Sequence, residues 1–170
     1  MKRTIDSKLN HWKTQNFRKP LIISGARQVG KTFSITQFAK TSFKSIIKLD
    51  FERNRSIHKI FDQDLSIQKI IQDIEIFSEI KITPGETLLF FDEIQECERA
   101  LLSLRYFYEE MPDLHVIAAG SMLEFALGKI SFPVGRVSFE WMQPMTFYEF
   151  LIASGKNILA EQLPCISNFK

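Results

Sequence analysis

The chain has 170 residues, of which 45% are hydrophobic, and its 22 basic and 20 acidic side chains leave a formal charge of +2. This length and composition predict one domain with a real apolar core, and the balanced charge gives no argument for nucleic acid, although it leaves room for a local basic patch. Cys97 and Cys165 lie far apart without a Cys/His cluster, which indicates reduced thiols rather than a zinc site or a disulfide framework. Because the N-terminus lacks an apolar signal core and no apolar stretch approaches membrane-spanning length, we expect a cytoplasmic protein without membrane contact.

The first element is an amphipathic helix. Ile5, Leu9 and Trp12 stand at i, i+4 and i+7, which predicts a helix over 4–16 that packs on the core. A basic turn ends it, so residues 1–17 form an N-terminal helical segment. Trp12 or Phe17 could border an adenine ring, although packing is the simpler interpretation.

A phosphate-binding pattern follows. Residues 20–24 are a short apolar run typical of a buried strand, and residues 33–40 have helical spacing without Gly or Pro. Between them the chain reads G-x-x-x-x-G-K-[ST], the P-loop pattern, over Gly25, Ala26, Arg27, Gln28, Val29, Gly30, Lys31 and Thr32, with Phe33 next.

The chemistry of a polyphosphate site accounts for the fixed residues. Gly25 and Gly30 let the backbone turn so that its N–H groups point at phosphate oxygens, at the N-terminus of a helix that favours anions. Lys31 supplies a compact positive charge for the β- and γ-phosphates, and Thr32 supplies a hydroxyl for Mg²⁺. The pattern therefore predicts ATP and Mg²⁺ as cofactors.

A second strand is predicted over 45–51, with Asp50 and Glu52 at its C-terminal end. That end of a parallel sheet faces the ligand crevice. The two acids could touch a metal-bound water or a neighbouring subunit, or they could simply be solvated. Residues 53–82 become helical in their later part, and a turn follows at 83–86.

Residues 87–93 read Thr-Leu-Leu-Phe-Phe-Asp-Glu, an apolar run capped by two acids. A fully apolar strand is expected at the centre of a parallel sheet, and this one has the Walker B pattern. Asp92 would hold Mg²⁺ directly or through water, and Glu93 would accept a proton from the attacking water or orient it.

A helix is predicted over 98–111 and a buried strand over 114–119, which ends at Gly120 and Ser121. Ser121 would lie between the P-loop and Glu93, where it could sense the γ-phosphate. It could also cap a helix beginning at 122–125, and both roles can hold together.

The loop 128–135 leads to Arg136 and a last strand over 137–141. Arg136 could reach a neighbouring subunit's nucleotide as an arginine finger, or it could be a solvated loop residue. Thr146 followed by Glu149 predicts a capping box at the start of another helix. Residues 157–170 have weak helical character.

Taken together, these stretches resemble the AAA-family ATP-binding domain of prokaryotic proteins that join an ATPase to a DUF4143 domain. The resemblance rests on the P-loop, Leu-Phe-Phe-Asp-Glu-Ile-Gln (89–95), Ala-Gly-Ser (119–121), Gly-Arg-Val (135–137) and residues 143–151. It covers 18–151 and implies an α/β P-loop NTPase with helices on both faces of a parallel sheet of about five strands, ordered 5-1-4-3-2. It also implies an ATPase with Lys31, Thr32, Asp92, Glu93 and Ser121 at the phosphates and Arg136 as a possible finger.

Family members of this kind usually continue through a helical lid and a nuclease-like C-terminal domain. The resemblance therefore implies that 152–170 begin a lid or are a truncated tail, and that a nuclease-like domain, DNA or further copies of the chain are possible partners.

Two other function classes remain open. A small-molecule kinase would also need a P-loop, but a water-activating Glu93 would harm it. A nucleotide-dependent binding module with little turnover, including a DNA-associated one, has modest support in the N-terminal basic residues Lys2, Arg3, Lys8, Lys13, Arg18 and Lys19. A GTPase is disfavoured, because no Asn-Lys-x-Asp motif follows the Walker B strand.

Overall fold

The computed structural model describes residues 3–62, 65–121, 123 and 135–166. Five strands form one sheet in the order β2-β3-β4-β1-β5, and every neighbouring pair is parallel. This order is the predicted 5-1-4-3-2 read from the other edge, so the predicted topology is confirmed. The strands are β1 Leu21–Ser24, β2 Ser45–Asp50, β3 Thr87–Asp92, β4 His115–Gly120 and β5 Ser138–Trp141.

The helices largely follow the predicted pattern, with two differences. The N-terminal helix stops at Lys13, because the Thr14 N–H donates back to the His11 carbonyl and the Gln15 N–H to the Trp12 carbonyl. The stretch 53–82 is divided into a 3₁₀ turn, a single helical turn and one longer helix; Asn54 begins it by accepting the Ser56 N–H. The helices are α1 Thr4–Lys13, α2 Lys31–Ser42, α3 Lys59–Asp62, α4 Ile67–Ser78, α5 Glu98–Glu110, α6 Phe147–Ala153 and α7 Asn157–Ile166.

The sheet separates two apolar cores. Along β3, Leu89 and Phe91 pack on one face and Leu88 and Phe90 on the other, as side chains on a strand alternate between faces. The first face is covered by α4 and α5, and the second by α1 and α2. A strand buried on both faces explains why 87–91 carry no charge.

The register brings the predicted site together. Asp50 pairs with Asp92 across β2 and β3, and Ser24 pairs with Gly120 across β1 and β4. The residues that follow β1, β3 and β4 therefore meet at the carboxyl edge of the sheet, which is where ligands bind in such folds.

Some predicted elements lie outside the described residues, namely the helix after Ser121 apart from Leu123, the loop 128–134, and residues 167–170. Among the helices that the structure describes, none is long and apolar enough to cross a membrane.

Candidate functional site

The loop between β1 and α2 is shaped by its two glycines. A Cβ on Gly25 would lie 2.3 Å from the Met142 carbonyl oxygen, so the segment after β5 approaches too closely for any side chain there. Gly30 has φ +96°, a left-handed conformation that glycine adopts without strain. Gln28 is also left-handed, with φ 63°. Such backbone turns direct successive N–H groups toward one point, as an anion site requires.

Lys31 lies at the first position of α2 and is almost fully buried. Its ammonium donates to the carbonyls of Gly25 and Ala26, each at 2.8 Å, and so spans the loop. Burial lowers the pKa of Lys31; Glu93 and Asp92 oppose this shift with their negative charges, and Arg27 adds to it. A buried cation in this position is suited to phosphate oxygens.

Thr32 and Asp92, the two predicted Mg²⁺ ligands, are in contact. The Thr32 hydroxyl lies 3.0 and 3.1 Å from the two carboxylate oxygens of Asp92. Two adjacent ligands of one Mg²⁺ at its usual bond length are roughly 2.9 Å apart. Hard oxygen ligands at this separation fit Mg²⁺, bound directly or through a water.

A lysine that the sequence analysis did not single out lies beside this pair. Lys48 Nζ is 2.8 Å from Asp92 Oδ2 and 3.4 Å from Asp50 Oδ2. Burial opposes the charge of Lys48, but its hydrogen bond to Asp92 and the negative charges of Asp92 and Asp50 outweigh it and raise its pKa. Asp50 is therefore an ion-pair partner of Lys48 at the edge of the predicted metal site.

Glu93 is held in place by two neighbours. It adopts a left-handed backbone conformation directly after β3, with φ 51°. Gln95 Nε2 donates to Glu93 Oε2 at 2.7 Å, and the Ser121 N–H and hydroxyl each lie 3.4 Å from the same oxygen. Ser121 therefore contacts Glu93, and its role as a γ-phosphate sensor stays a prediction.

Arg27 lies on the open side of this group. Its Nε is 3.5 Å from Ser121 Oγ, and its Nη2 is 3.8 Å from Glu52 Oε1. The side chain is 68% exposed. Phe33, one residue beyond Thr32, is also exposed.

The structure does not bring Arg136 to this site. Arg136 precedes β5, whose first residue pairs with the first residue of β1. It therefore lies at the amino-terminal ends of these strands, whereas the P-loop follows the carboxyl end of β1. Its Nε is 3.1 Å from Glu109 Oε1 on α5, and its guanidinium lies 5.9 Å from the Tyr108 ring centre. A role toward a neighbouring subunit's nucleotide stays a prediction.

The two aromatic candidates for an adenine contact differ. Trp12 is buried, donates its Nε1–H to the Lys19 carbonyl at 2.7 Å and packs edge-on against His115. This is the packing role that the sequence favoured. Phe17 is 89% exposed.

Sequence reasoning missed the chemical roles of three further side chains. Lys48 could have been found, because it stands two residues before Asp50 on the same face of a strand. Gln95 belongs to the Asp-Glu-Ile-Gln motif, but only the backbone turn after Glu93 shows that its amide reaches that carboxylate. Arg3 binds the P-loop from outside, and no local pattern indicated this contact.

Comparisons with known proteins agree with this architecture. The AAA_14 family model, described as an AAA domain, matches residues 17–151. A search of curated protein sequences finds no match. Among solved structures, the chain is similar to the Walker-type ATPase PABY2304 of Pyrococcus abyssi, with 19% sequence identity and a TM-score of 0.55. The match covers 93% of this chain but only 59% of that one, so it supports the fold alone.

Proposed function

Because the chain belongs to the AAA domain family, we propose that it is a P-loop ATPase module that binds Mg-ATP, hydrolyses it and so drives or switches a partner domain. The observation that carries this proposal is the convergence of Thr32, Asp92 and Glu93 at the carboxyl edge of the sheet. Thr32 and Asp92 are in contact, and Glu93 is the residue after Asp92. Such an arrangement places a metal ligand pair beside a potential base.

Each residue has a distinct task in this proposal. The backbone of Gly25, Ala26, Arg27, Gln28, Val29 and Gly30 would cradle the phosphates, with Phe33 next to the loop. Lys31 would offset charge on the transferred phosphoryl group, and Thr32 with Asp92 would hold Mg²⁺. Bound Mg²⁺ would neutralise developing charge on the phosphate oxygens. Glu93 would orient the attacking water and accept its proton, and Ser121 would sense the γ-phosphate through its contact with Glu93.

The proposal also concerns the organisation of the chain. We assign residues 18–151 to the ATP-binding core, 1–17 to an N-terminal helical segment and 152–170 to the beginning of a lid or a tail. Arg136 would complete a neighbouring copy's site if the module assembles. We also propose a cytoplasmic location, and a nuclease-like domain or DNA as the partner.

The test is ATP hydrolysis per protomer over a range of protein concentrations, with Mg-ATP binding measured in parallel. Glu93→Gln removes the proposed base and should lower kcat by about 100- to 10,000-fold while nucleotide binding is retained. Glu96→Gln is the matched control, because it makes the same chemical change on an exposed residue of the same turn. The kcat of Glu96→Gln should stay within about twofold of the wild-type value.

The outcomes separate the function classes. A rate per protomer that rises with concentration would favour an assembling ATPase with Arg136 acting between copies. Tight Mg-ATP binding without turnover would contradict hydrolysis and favour a nucleotide-dependent binding module. Phosphate transfer to a small acceptor, unaffected by Glu93→Gln, would favour a kinase and overturn the role of Glu93.

A further inference from the structure

Arg3 contacts the phosphate loop from its outer side. Its side chain is only 6% exposed, and its guanidinium is shared among three separate parts of the chain. Nη1 donates to the Val29 carbonyl at 3.1 Å, Nη2 donates to the Gln143 carbonyl at 3.0 Å, and Nε lies 3.2 Å from Glu149 Oε1. The planar fork of arginine suits such a set of partners, whereas a lysine ammonium does not reproduce it.

Glu149 is itself held firmly. Its Oε1 accepts the Thr4 N–H at 2.8 Å and the Thr4 hydroxyl at 2.9 Å, and its Oε2 accepts the Thr146 N–H at 2.9 Å. Burial alone would raise the pKa of Glu149, but these hydrogen bonds and the ion pair with Arg3 outweigh burial and lower the pKa to about 2. The carboxylate is therefore charged at neutral pH, and Arg3 is its buried counter-ion.

The bond to Val29 has a consequence for the next residue. A trans peptide is planar, so the C=O of Val29 and the N–H of Gly30 point in opposite directions. Because the Val29 oxygen is directed at Arg3, the Gly30 N–H is directed away from it. In a P-loop the inward N–H groups bind phosphate.

The loop needs such support from outside. Gln28 and Gly30 both have left-handed backbone conformations, and for a non-glycine residue this conformation persists only where surrounding structure enforces it. Arg3 is well placed to do so, since it reaches the peptide between Val29 and Gly30. The sequence separation of 26 residues explains why no local motif reports the contact.

We propose that Arg3 is a positioning residue for the phosphate loop: held by Glu149 of α6, it fixes the Val29–Gly30 peptide so that the Gly30 N–H faces the bound phosphates. This inference rests on the proposed function. It also ties α1 and α6 to the loop, so that a displacement of α6 changes phosphate binding.

The experiment compares Arg3→Gln with Arg18→Gln. Arg18 is a matched control because it also donates to backbone carbonyls, those of Pro112 and Asp113 at 3.2 and 3.1 Å, but these lie at the opposite end of the sheet. MgADP affinity is measured by calorimetry at a temperature where both variants are folded. The Gly30 amide resonance is followed by ¹⁵N NMR with and without MgADP.

Arg3→Gln should weaken MgADP binding by about 10- to 100-fold, as expected for loss of one hydrogen bond to a charged group. Its Gly30 resonance should shift in the nucleotide-free protein and respond less to MgADP. Arg18→Gln should bind within twofold of wild type. Equal affinity in Arg3→Gln and wild type, or an equal loss in both variants, would overturn the inference.

Arg3→Lys decides the question if Arg3→Gln does not fold. It keeps a positive charge beside Glu149 but cannot hold both carbonyls, so MgADP binding should weaken at least about threefold; unchanged binding would overturn the inference. If the wild-type chain binds no MgADP, the proposed function fails instead. The Gly30 amide resonance of the nucleotide-free protein then still tests whether Arg3 positions the Val29–Gly30 peptide. If this resonance were unchanged in Arg3→Lys or Arg3→Gln, that positioning role would be refuted.

Discussion

Replacing Glu149 by glutamine should cost the protein much of its stability near neutral pH and little in strong acid. Burial alone would raise the pKa of Glu149, but hydrogen bonds from Thr4 and Thr146 and the ion pair with Arg3 lower it from 4.5 to about 2. At about 1.4 kcal/mol per pKa unit, this difference corresponds to about 3 kcal/mol of stability. Since the folded pKa is depressed, that contribution is complete above pH 4.5 and disappears as the pH falls from 4.5 toward 2. The variant lacks it at every pH.

The assay is urea unfolding of wild type and Glu149→Gln between pH 7 and pH 2.5. At pH 7 the free energies of unfolding should differ by about 3 kcal/mol or more, because the variant also leaves the buried Arg3 charge without its counter-ion. The difference in free energy of unfolding between wild type and Glu149→Gln should become smaller below pH 4.5. Glu140→Gln is the control, since Glu140 pairs with Lys8 at the surface and such a pair contributes under about 1 kcal/mol. A gap below about 1 kcal/mol at pH 7, or one that does not change with pH, would refute the reasoning.

Three further predictions concern other positions. Burial and the positive charges of Arg18 and Lys13 lower the pKa of His115 from 6.5 to about 4, so wild type should lose about 3 kcal/mol as the pH falls through this window. In urea unfolding, the free energy of unfolding of His115→Phe should change little between pH 6.5 and pH 4. If it fell with pH as steeply as that of wild type, this prediction would be contradicted. Lys48 would compete with Mg²⁺ for Asp92, so Lys48→Met should lower the Mg²⁺ concentration for half-maximal ATP binding severalfold, and an unchanged Mg²⁺ titration would argue against the competition. A Cβ on Gly120 would lie 2.3 Å from the Gln95 amide oxygen, so Gly120→Ala should disturb the Glu93 carboxylate and lower kcat about tenfold with ATP affinity retained; an unaltered kcat would show that this contact is dispensable.

The parts of the fold that the sequence predicted are those with a local physical cause. The apolar run 87–91 predicted a strand buried on both faces, and β3 has that burial. The capping box of Thr146 and Glu149 is confirmed by both of its hydrogen bonds. The helix over 4–16 was predicted three residues too long, because its end is set by the backbone bonds of Thr14 and Gln15 rather than by a Gly or Pro.

The candidate site divides in the same way. The P-loop, Asp92 and Glu93 stand in motifs whose backbone geometry is local, and the strand order then places them at one edge of the sheet. Arg136 stands in the same chain segment as β5, yet the parallel pairing of β5 with β1 puts it at the other edge. The direction of this pairing, parallel rather than antiparallel, decides at which end of the strands Arg136 lies.

By itself, the sequence determined that this protein has a nucleotide-binding loop between a strand and a helix, a Walker B strand and an α/β order, because each depends on neighbouring residues. Only the tertiary structure decided that Lys48 reaches Asp92, that Gln95 donates to Glu93, and that Arg3 contacts the P-loop from across the fold. The contact of Lys48 with Asp92 joins side chains on two strands, that of Arg3 joins a side chain to the distant Val29 carbonyl, and that of Gln95 depends on a backbone turn at Glu93. Their geometry comes from sheet register and helix packing, which no short stretch of sequence specifies.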